Sequence, residues 1–261
     1  MSSENVQEKA HSSEISGKKI FFLYPTASIQ NQVISELAQH ELEVYVSKRH
    51  DRLLHVLKKY PDSIVFANID EGISEIEWGK WIDTVKITQP DVSIGVLSAA
   101  VDEEKRGKYL KNPKIVCGFI PLRKDMTKEI GQILAALEKV NAKGMRKYLR
   151  ATTEREANAN LNLPFNGDIL NAVVKDISVV GVSCVFAKDP EFSKNTLVKD
   201  VQIRLQTMLL KVEAIVFGCY ENSERKIYVL IFTQRTDPDV RVKIRKYIQH
   251  NLQQKMDPEL G

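Results

Sequence analysis

Two short groups of residues carry side chains suited to molecular recognition. Arg146 and Arg150 form Arg-x-x-x-Arg, and further along Asp176, Ser178 and Gly181 form Asp-x-Ser-x-x-Gly. The planar fork of arginine pairs with phosphate oxygens or with O6 and N7 of guanine, and its face stacks on a purine, which lysine does poorly. A carboxylate only accepts hydrogen bonds, so Asp176 suits the N1–H and N2–H of guanine rather than an adenine edge. Ser178 can bond a base or a phosphate. Gly181, lacking a Cβ, lets the backbone turn sharply and a ligand approach its N–H. Charge-assisted bonds of this kind are worth about 1.5–3 kcal/mol each. Plain structural uses exist for every one of them: surface charge for the arginines at i, i+4, turn satisfaction for Asp176 and Ser178, a bulge for Gly181.

Other chemistries find no support. Nothing pairs a nucleophile with a base, groups metal ligands, or builds a glycine-rich phosphate loop, so the reading is a non-enzymatic protein without metal or cofactor. Cys117, Cys184 and Cys219 are odd in number, widely spaced and set in apolar runs, which predicts buried thiols rather than disulfides or metal ligands. His50 and His55 are five apart rather than at the i, i+4 spacing a helical zinc site uses. No apolar stretch approaches the roughly 18 residues of a membrane span, and the polar first 16 residues lack a signal-peptide core. A cytoplasmic protein with no membrane span is expected.

The elements that must position these side chains fall into two textures. At 261 residues the chain exceeds the commonest domain size of about 100–150, so two domains are expected. Charge divides the same way: residues 1–140 carry 19 Lys and Arg against 20 Asp and Glu, a net of −1, and residues 141–261 carry 19 against 14, a net of +5. The second half is the anion-binding half. Residues 1–17 are Ser/Glu-rich with few apolar side chains, which predicts a disordered tail.

From 18 to 140, apolar runs alternate with helical patterns: Ile20–Tyr24, Ser28–Gln39, Leu42–Val46, Arg49–Lys59, Ser63–Ile69, Ser74–Thr88, Val92–Ser98, Asp102–Leu110, Ile115–Ile120 and Met126–Val140. The continuous apolar strands predict a five-stranded, doubly wound parallel sheet covered on both faces, with Ser28 and Asp102 starting helices. Residues 141–156 read as a linker bearing the Arg-x-x-x-Arg group. From 157 to 256, period-2 alternation gives strands at Asn158–Leu163, Asp168–Ile177, Gly181–Ala187, Val198–Leu205, Met208–Phe217 and Lys226–Thr233, with turns at Asn166-Gly167-Asp168 and Glu221-Asn222-Ser223. Six strands without intervening helices predict a small β-barrel. A terminal helix comes last, capped by Asp237 with Pro238 first, its Val240, Ile244, Ile248 and Leu252 on one face and Arg241, Arg245 and Lys246 elsewhere.

An Arg-x-x-x-Arg segment before the first strand, then Asp/Asn-x-Ser-x-x-Gly between the second and third strands of a six-stranded barrel, resembles the PilZ family over about residues 143–256. The resemblance implies cyclic di-GMP as ligand, bound through Arg146, Arg150, Asp176, Ser178 and Gly181, one per protomer of a monomer. The first half resembles the response-regulator receiver domain in layout only. Asn68 stands where the phosphate-accepting Asp would fall, and Ile20–Thr26 holds no acid for magnesium, although Lys124 fits the basic position. The whole chain, with this degenerate receiver-like front half, looks most like the two-domain PilZ proteins of Borrelia-type spirochaetes. The resemblance implies an effector that changes its inter-domain arrangement on binding and acts on a protein or nucleic-acid partner. The alternative is a nucleic-acid-binding regulator using the basic half, gated by cyclic di-GMP.

Overall fold

The computed structural model describes residues 17–100, 102–123, 125–153, 156, 158–222 and 225–261. Lys124, Ser223 and all but the last residue of the expected tail lie outside them. Gly17 is described, and it is buried. The chain divides into two compact units, one of residues 1–147 and 252–261 and one of residues 148–251.

The first unit is built on β1 (Ile20–Leu23), β2 (Val44–Ser47), β3 (Ile64–Asn68), β4 (Ser93–Ser98) and β5 (Phe119–Pro121). They form a parallel sheet in the order β2-β1-β3-β4-β5. Every residue of β1, β3 and β4 is buried, as a sheet covered on both faces requires. The helices are α1 (Ile34–Gln39), preceded by a π turn over Ile29–Val33, then α2 (His50–Lys59), α3 (Glu75–Thr88), α4 (Glu103–Leu110) and α5 (Met126–Lys139). One apolar cluster centres on Phe21, Trp78 and Ile94, and a second on Phe22, Phe66 and Ile133.

Capping explains the helix starts. Ser74 and Glu77 form a reciprocal capping box at α3, and Asp102 accepts from Glu104 N and Lys105 N at α4, as expected. The first helix departs from expectation, because Ser28 is itself helical and Thr26 takes the cap role, its Oγ1 accepting from Ile29 N at 3.4 Å. The fifth strand is also shorter than its apolar run. Ile115–Gly118 is spent on a turn, with Gly118 at φ +76.

In the second unit β6 (Ala151–Thr152) precedes β7 (Ala159–Phe165), β8 (Asp168–Ser178), β9 (Gly181–Phe186), β10 (Leu197–Leu205), β11 (Met208–Asn222) and β12 (Arg225–Phe232). The order β8-β7-β10-β11-β12-β9 is closed by β9 pairing back to β8, giving a six-stranded antiparallel barrel. Leu161, Val174, Ile203, Val212 and Leu230 are all buried on its inner face. Asn166 at φ +52 and Gly167 at φ +88 make the two-residue turn between β7 and β8 that their types predict. Strand β11 outruns its predicted end at Phe217, because a bulge at Val216/Gly218 lets pairing with β12 continue to Asn222.

Helix α6 (Pro238–Leu260) closes the chain, with Asp237 Oδ1 accepting from Asp239 N at 2.8 Å. Its last turns belong to the first unit. There Met256 and Leu260 join the apolar core, and the Gln253 amide makes hydrogen bonds of 2.8 and 3.0 Å to Val46 N and O.

Candidate functional site

Four of the five motif residues, Arg150, Asp176, Ser178 and Gly181, lie where β8 turns into β9. Strand β8 pairs with β7 through Asp168–Val173, and beyond that point β6 takes over, setting Ala151 opposite Ile177 and Thr152 opposite Asp176. Thr153 extends the join, with its N donating to Lys175 O at 2.8 Å and its Oγ1 to Val174 O at 2.5 Å. The predicted linker is therefore strand from Ala151. This short ladder holds Arg150 beside Asp176, with Nη1 3.8 Å from Oδ1.

A bulge between Val174 and Asp176 resets the alternation, so Val174 pairs with inward Cys184 while Asp176 faces outward opposite Ser183. Ser183 Oγ donates to Asp176 Oδ2. Sequence reasoning does not single out Ser183. The available signal is its period-2 offset from Gly181 on the outward face of β9. Asp176 thus has one oxygen held by a hydroxyl and the other near an exposed guanidinium, on a side chain about one quarter exposed.

Ser178 and Gly181 have well-defined structural tasks. Ser178 is buried; its Oγ donates to Gly181 O at 3.3 Å and accepts from Val180 N at 3.4 Å, closing the turn. A Cβ on Gly181 would lie 2.5 Å from Leu230 O of β12, so strand packing alone demands glycine there. The turn is also tied to α6: Arg241 donates to Val179 O at 2.8 Å and to Thr233 O at 3.0 Å. Arg241 is accordingly a backbone clamp rather than part of a solvated basic face. Arg146 is exposed and belongs to the first unit, in a segment with bends but no helix or strand.

Elsewhere on the barrel a cavity of about 1250 Å³ is lined by Asn160, Asn162, Asn171, Gln202, Arg204 and Arg225 among others, and by none of the five motif residues. Lys226, also in its wall, is paired with Asp189 at 2.7 Å. Hydrogen bonds from Lys226 and Tyr228 hold the Asp189 carboxyl down at about 2.

Among the described residues no group of His, Cys, Asp or Glu could hold a metal ion, and no helix is long and apolar enough to cross a membrane. Cys117 and Cys184 are buried, and desolvation pushes their thiols up to about 11 and about 12. Cys219 is exposed, against the expectation of three buried thiols, because it lies beyond the bulge in the part of β11 that runs past Phe217.

With an outward charged motif on a closed six-stranded barrel, the chain can be compared with known proteins. No family model matches the chain. No curated protein matches it either. Among solved structures, it is similar to the PilZ domain with c-di-GMP of YcgR from Escherichia coli, at 14% identity over 44% of this chain and 96% of that one, with a TM-score of 0.39. It is also similar to the Bacillus subtilis inhibitor of motility MotI/DgrA, at 18% identity over 43% of this chain, TM-score 0.36. The K. pneumonia MrkH–c-di-GMP complex matches at 18% identity over 40% of this chain, TM-score 0.34. The chain spans about half the length of these two, 52% and 51% respectively.

Proposed function

We propose that this chain is a PilZ-type receptor for cyclic di-GMP and acts as a non-enzymatic effector. The observation that carries the reading is the outward carboxylate of Asp176, steadied by Ser183 and flanked by the Arg150 guanidinium. A carboxylate so held accepts the N1–H and N2–H of a guanine, while Arg150 and Arg146 supply planar cations for a phosphate or a purine face. Ser178 and Gly181 shape the turn that presents this carboxylate. The two-unit layout, an α/β unit before the barrel, fits the two-domain spirochaetal members of the family. A change of inter-domain arrangement on binding is part of the same proposal, because the Arg-x-x-x-Arg group precedes the barrel in the sequence.

Calorimetry with cyclic di-GMP and cyclic di-AMP tests the reading. Tight binding of the first and at least tenfold weaker binding of the second is expected, lost in Arg150→Ala with melting unchanged, since one bond to a charged group is worth about 1.5–3 kcal/mol. Equal affinity for both dinucleotides, or an Arg150→Ala variant that binds like wild type, overturns it.

The cavity on the barrel supports a second reading, a nucleic-acid-binding regulator. Its carboxamides offer donors and acceptors to base edges, and Arg204 and Arg225 offer charge to phosphates. Oligonucleotide affinity would then fall steeply with salt and drop in Arg204→Ala and Arg225→Ala. Binding indifferent to both changes rules that reading out.

A further inference from the structure

Helix α6 reaches both stretches of chain that present motif side chains on the barrel unit. Near its start, Arg241 donates to Val179 O at 2.8 Å, inside the turn closed by Ser178 and Gly181, and to Thr233 O at 3.0 Å. Further along, Tyr247 Oη donates to Glu156 Oε2 at 2.7 Å, and Asn251 Nδ2 donates to Glu156 Oε1. Glu156 N in turn donates to Thr153 O at 2.8 Å, and Thr153 N to Lys175 O of β8 at 2.8 Å. Glu156 thus holds the downstream end of the stretch Ala151–Thr153, whose upstream neighbour is Arg150.

These contacts share one helical face. Positions 241, 244, 248 and 251 follow the three- and four-residue spacing of such a face, and Ile244, Tyr247, Ile248 and Asn251 are all buried. A tyrosine and an asparagine break its apolar pattern. Burial and the Glu156 carboxylate push the Tyr247 hydroxyl well up, so it stays a donor. Asn251 Oδ1 is buried with no partner among the described residues, which disfavours folding. Apolar side chains would fill the same space without that penalty, so packing alone does not explain the pair. Departures of this kind concentrate where a site has to be held in place.

We propose, resting on the cyclic di-GMP reading above, that α6 positions that site: Arg241 fixes the turn after Asp176, and the Tyr247–Glu156–Asn251 group fixes the stretch that follows Arg150. The pair then stands in its binding geometry before any ligand arrives. Among the described residues Glu156 and Tyr247 bond none of the motif side chains, and they act as positioning residues through the backbone. Freed from Glu156, Arg150 would sample other placements, and affinity falls in proportion to the fraction of time the competent one is populated.

The test is Tyr247→Phe in the full chain, which keeps the ring and deletes one hydroxyl, measured by calorimetry with cyclic di-GMP and by hydrogen exchange without it. The ligand should bind about tenfold more weakly, as when the competent placement falls to about a tenth of the population. In the free variant the amides of Ala151–Thr153 should exchange at least about tenfold faster while those of β10 and β11 are unchanged, which separates local loosening from a general loss of stability. Arg241→Met should also weaken binding, but loosen Val179–Gly181 instead. If Tyr247→Phe does not fold, Glu156→Gln, which keeps one acceptor, is measured the same way. Wild-type affinity in the folded variant, or exchange that quickens evenly across the barrel, overturns the proposal and leaves the receptor reading standing. A wild-type chain that does not bind cyclic di-GMP overturns the receptor reading, and this proposal with it.

Discussion

At the scale of single residues, the five motif positions separate into those that face solvent and those that build the turn. Arg150 is exposed and Asp176 partly so, so changing them should alter binding and leave the fold intact. Asp176→Asn exchanges an acceptor-only group for one that also donates, and the preference for cyclic di-GMP over cyclic di-AMP should shrink at least about tenfold, the worth of one charge-assisted bond. Titration of the variant with both dinucleotides checks this, and an undiminished preference would remove Asp176 from base recognition. Gly181 behaves oppositely. A Cβ there meets a backbone oxygen at 2.5 Å, and overpacking of this kind costs about 1–3 kcal/mol. Gly181→Ala should accordingly lower the melting temperature with no ligand present. A variant as stable as wild type would leave the glycine with a purely ligand-facing role.

At the scale of elements, the two residues of β6 decide how the motif is presented. Because Ala151–Thr152 pair with β8 and Thr153 bonds to Lys175 and Val174, their amides should exchange slowly in the free protein. Cyclic di-GMP should add protection only upstream, across about residues 143–150, where there is neither helix nor strand. Hydrogen exchange with and without ligand reads this directly, and protection gained throughout 143–153 would place β6 among the parts ordered by binding.

In the α/β unit Asp70, just past β3, accepts from Ser98 at the end of β4, from Ala99 N and from Lys105 of α4, and this arrangement makes its own prediction. Burial acts to raise its pKa, but bonds from Ser98, Ala99 N–H and Lys105 outweigh burial and lower it. A carboxyl with a lowered folded-state pKa stabilises the fold above its unfolded value, about 3.9, and that contribution is lost as pH falls through the folded value. The stability gap between wild type and Asp70→Asn should therefore be present near neutral pH and close below about pH 4. A gap constant down to acid pH would mean that the Asp70 charge contributes nothing.

At the scale of the whole molecule, the helix that ends the chain leaves the barrel unit at Asn251 and contributes Met256 and Leu260 to the core of the α/β unit. Deleting residues 252–261 should therefore destabilise the α/β unit rather than the barrel, by removing two buried apolar side chains worth about 1.5–3 kcal/mol each. Two thermal transitions monitored separately, tryptophan fluorescence reporting Trp78 and Trp81 of α3 and ligand protection reporting the barrel, should show only the first moving. If the barrel transition falls instead, the last turns of α6 serve the other unit. Small-angle scattering with and without cyclic di-GMP bears on the proposed change of arrangement, and identical curves at saturating ligand would rule it out.

Local rules in the sequence were enough for most elements. Apolar period and capping chemistry reproduced five strand–helix repeats and six barrel strands, because continuous and alternating burial each leave a period along the chain. Asn166-Gly167 specified its turn, since only residue types tolerant of positive φ fit there. The motif spacing also marked Arg150 and Asp176, whose chemistry is legible from residue type alone. What tertiary structure decided was pairing at a distance. A two-residue strand has no detectable period, so β6 and the placement of Arg150 against Asp176 exist only through β8. Ser183 matters because a bulge in another strand turns Asp176 toward it. Asp70 finds Ser98 and Lys105 across a sheet edge that no sequence spacing records. The last turns of α6, an ordinary amphipathic pattern, acquire their partners only when the chain folds back on its first unit.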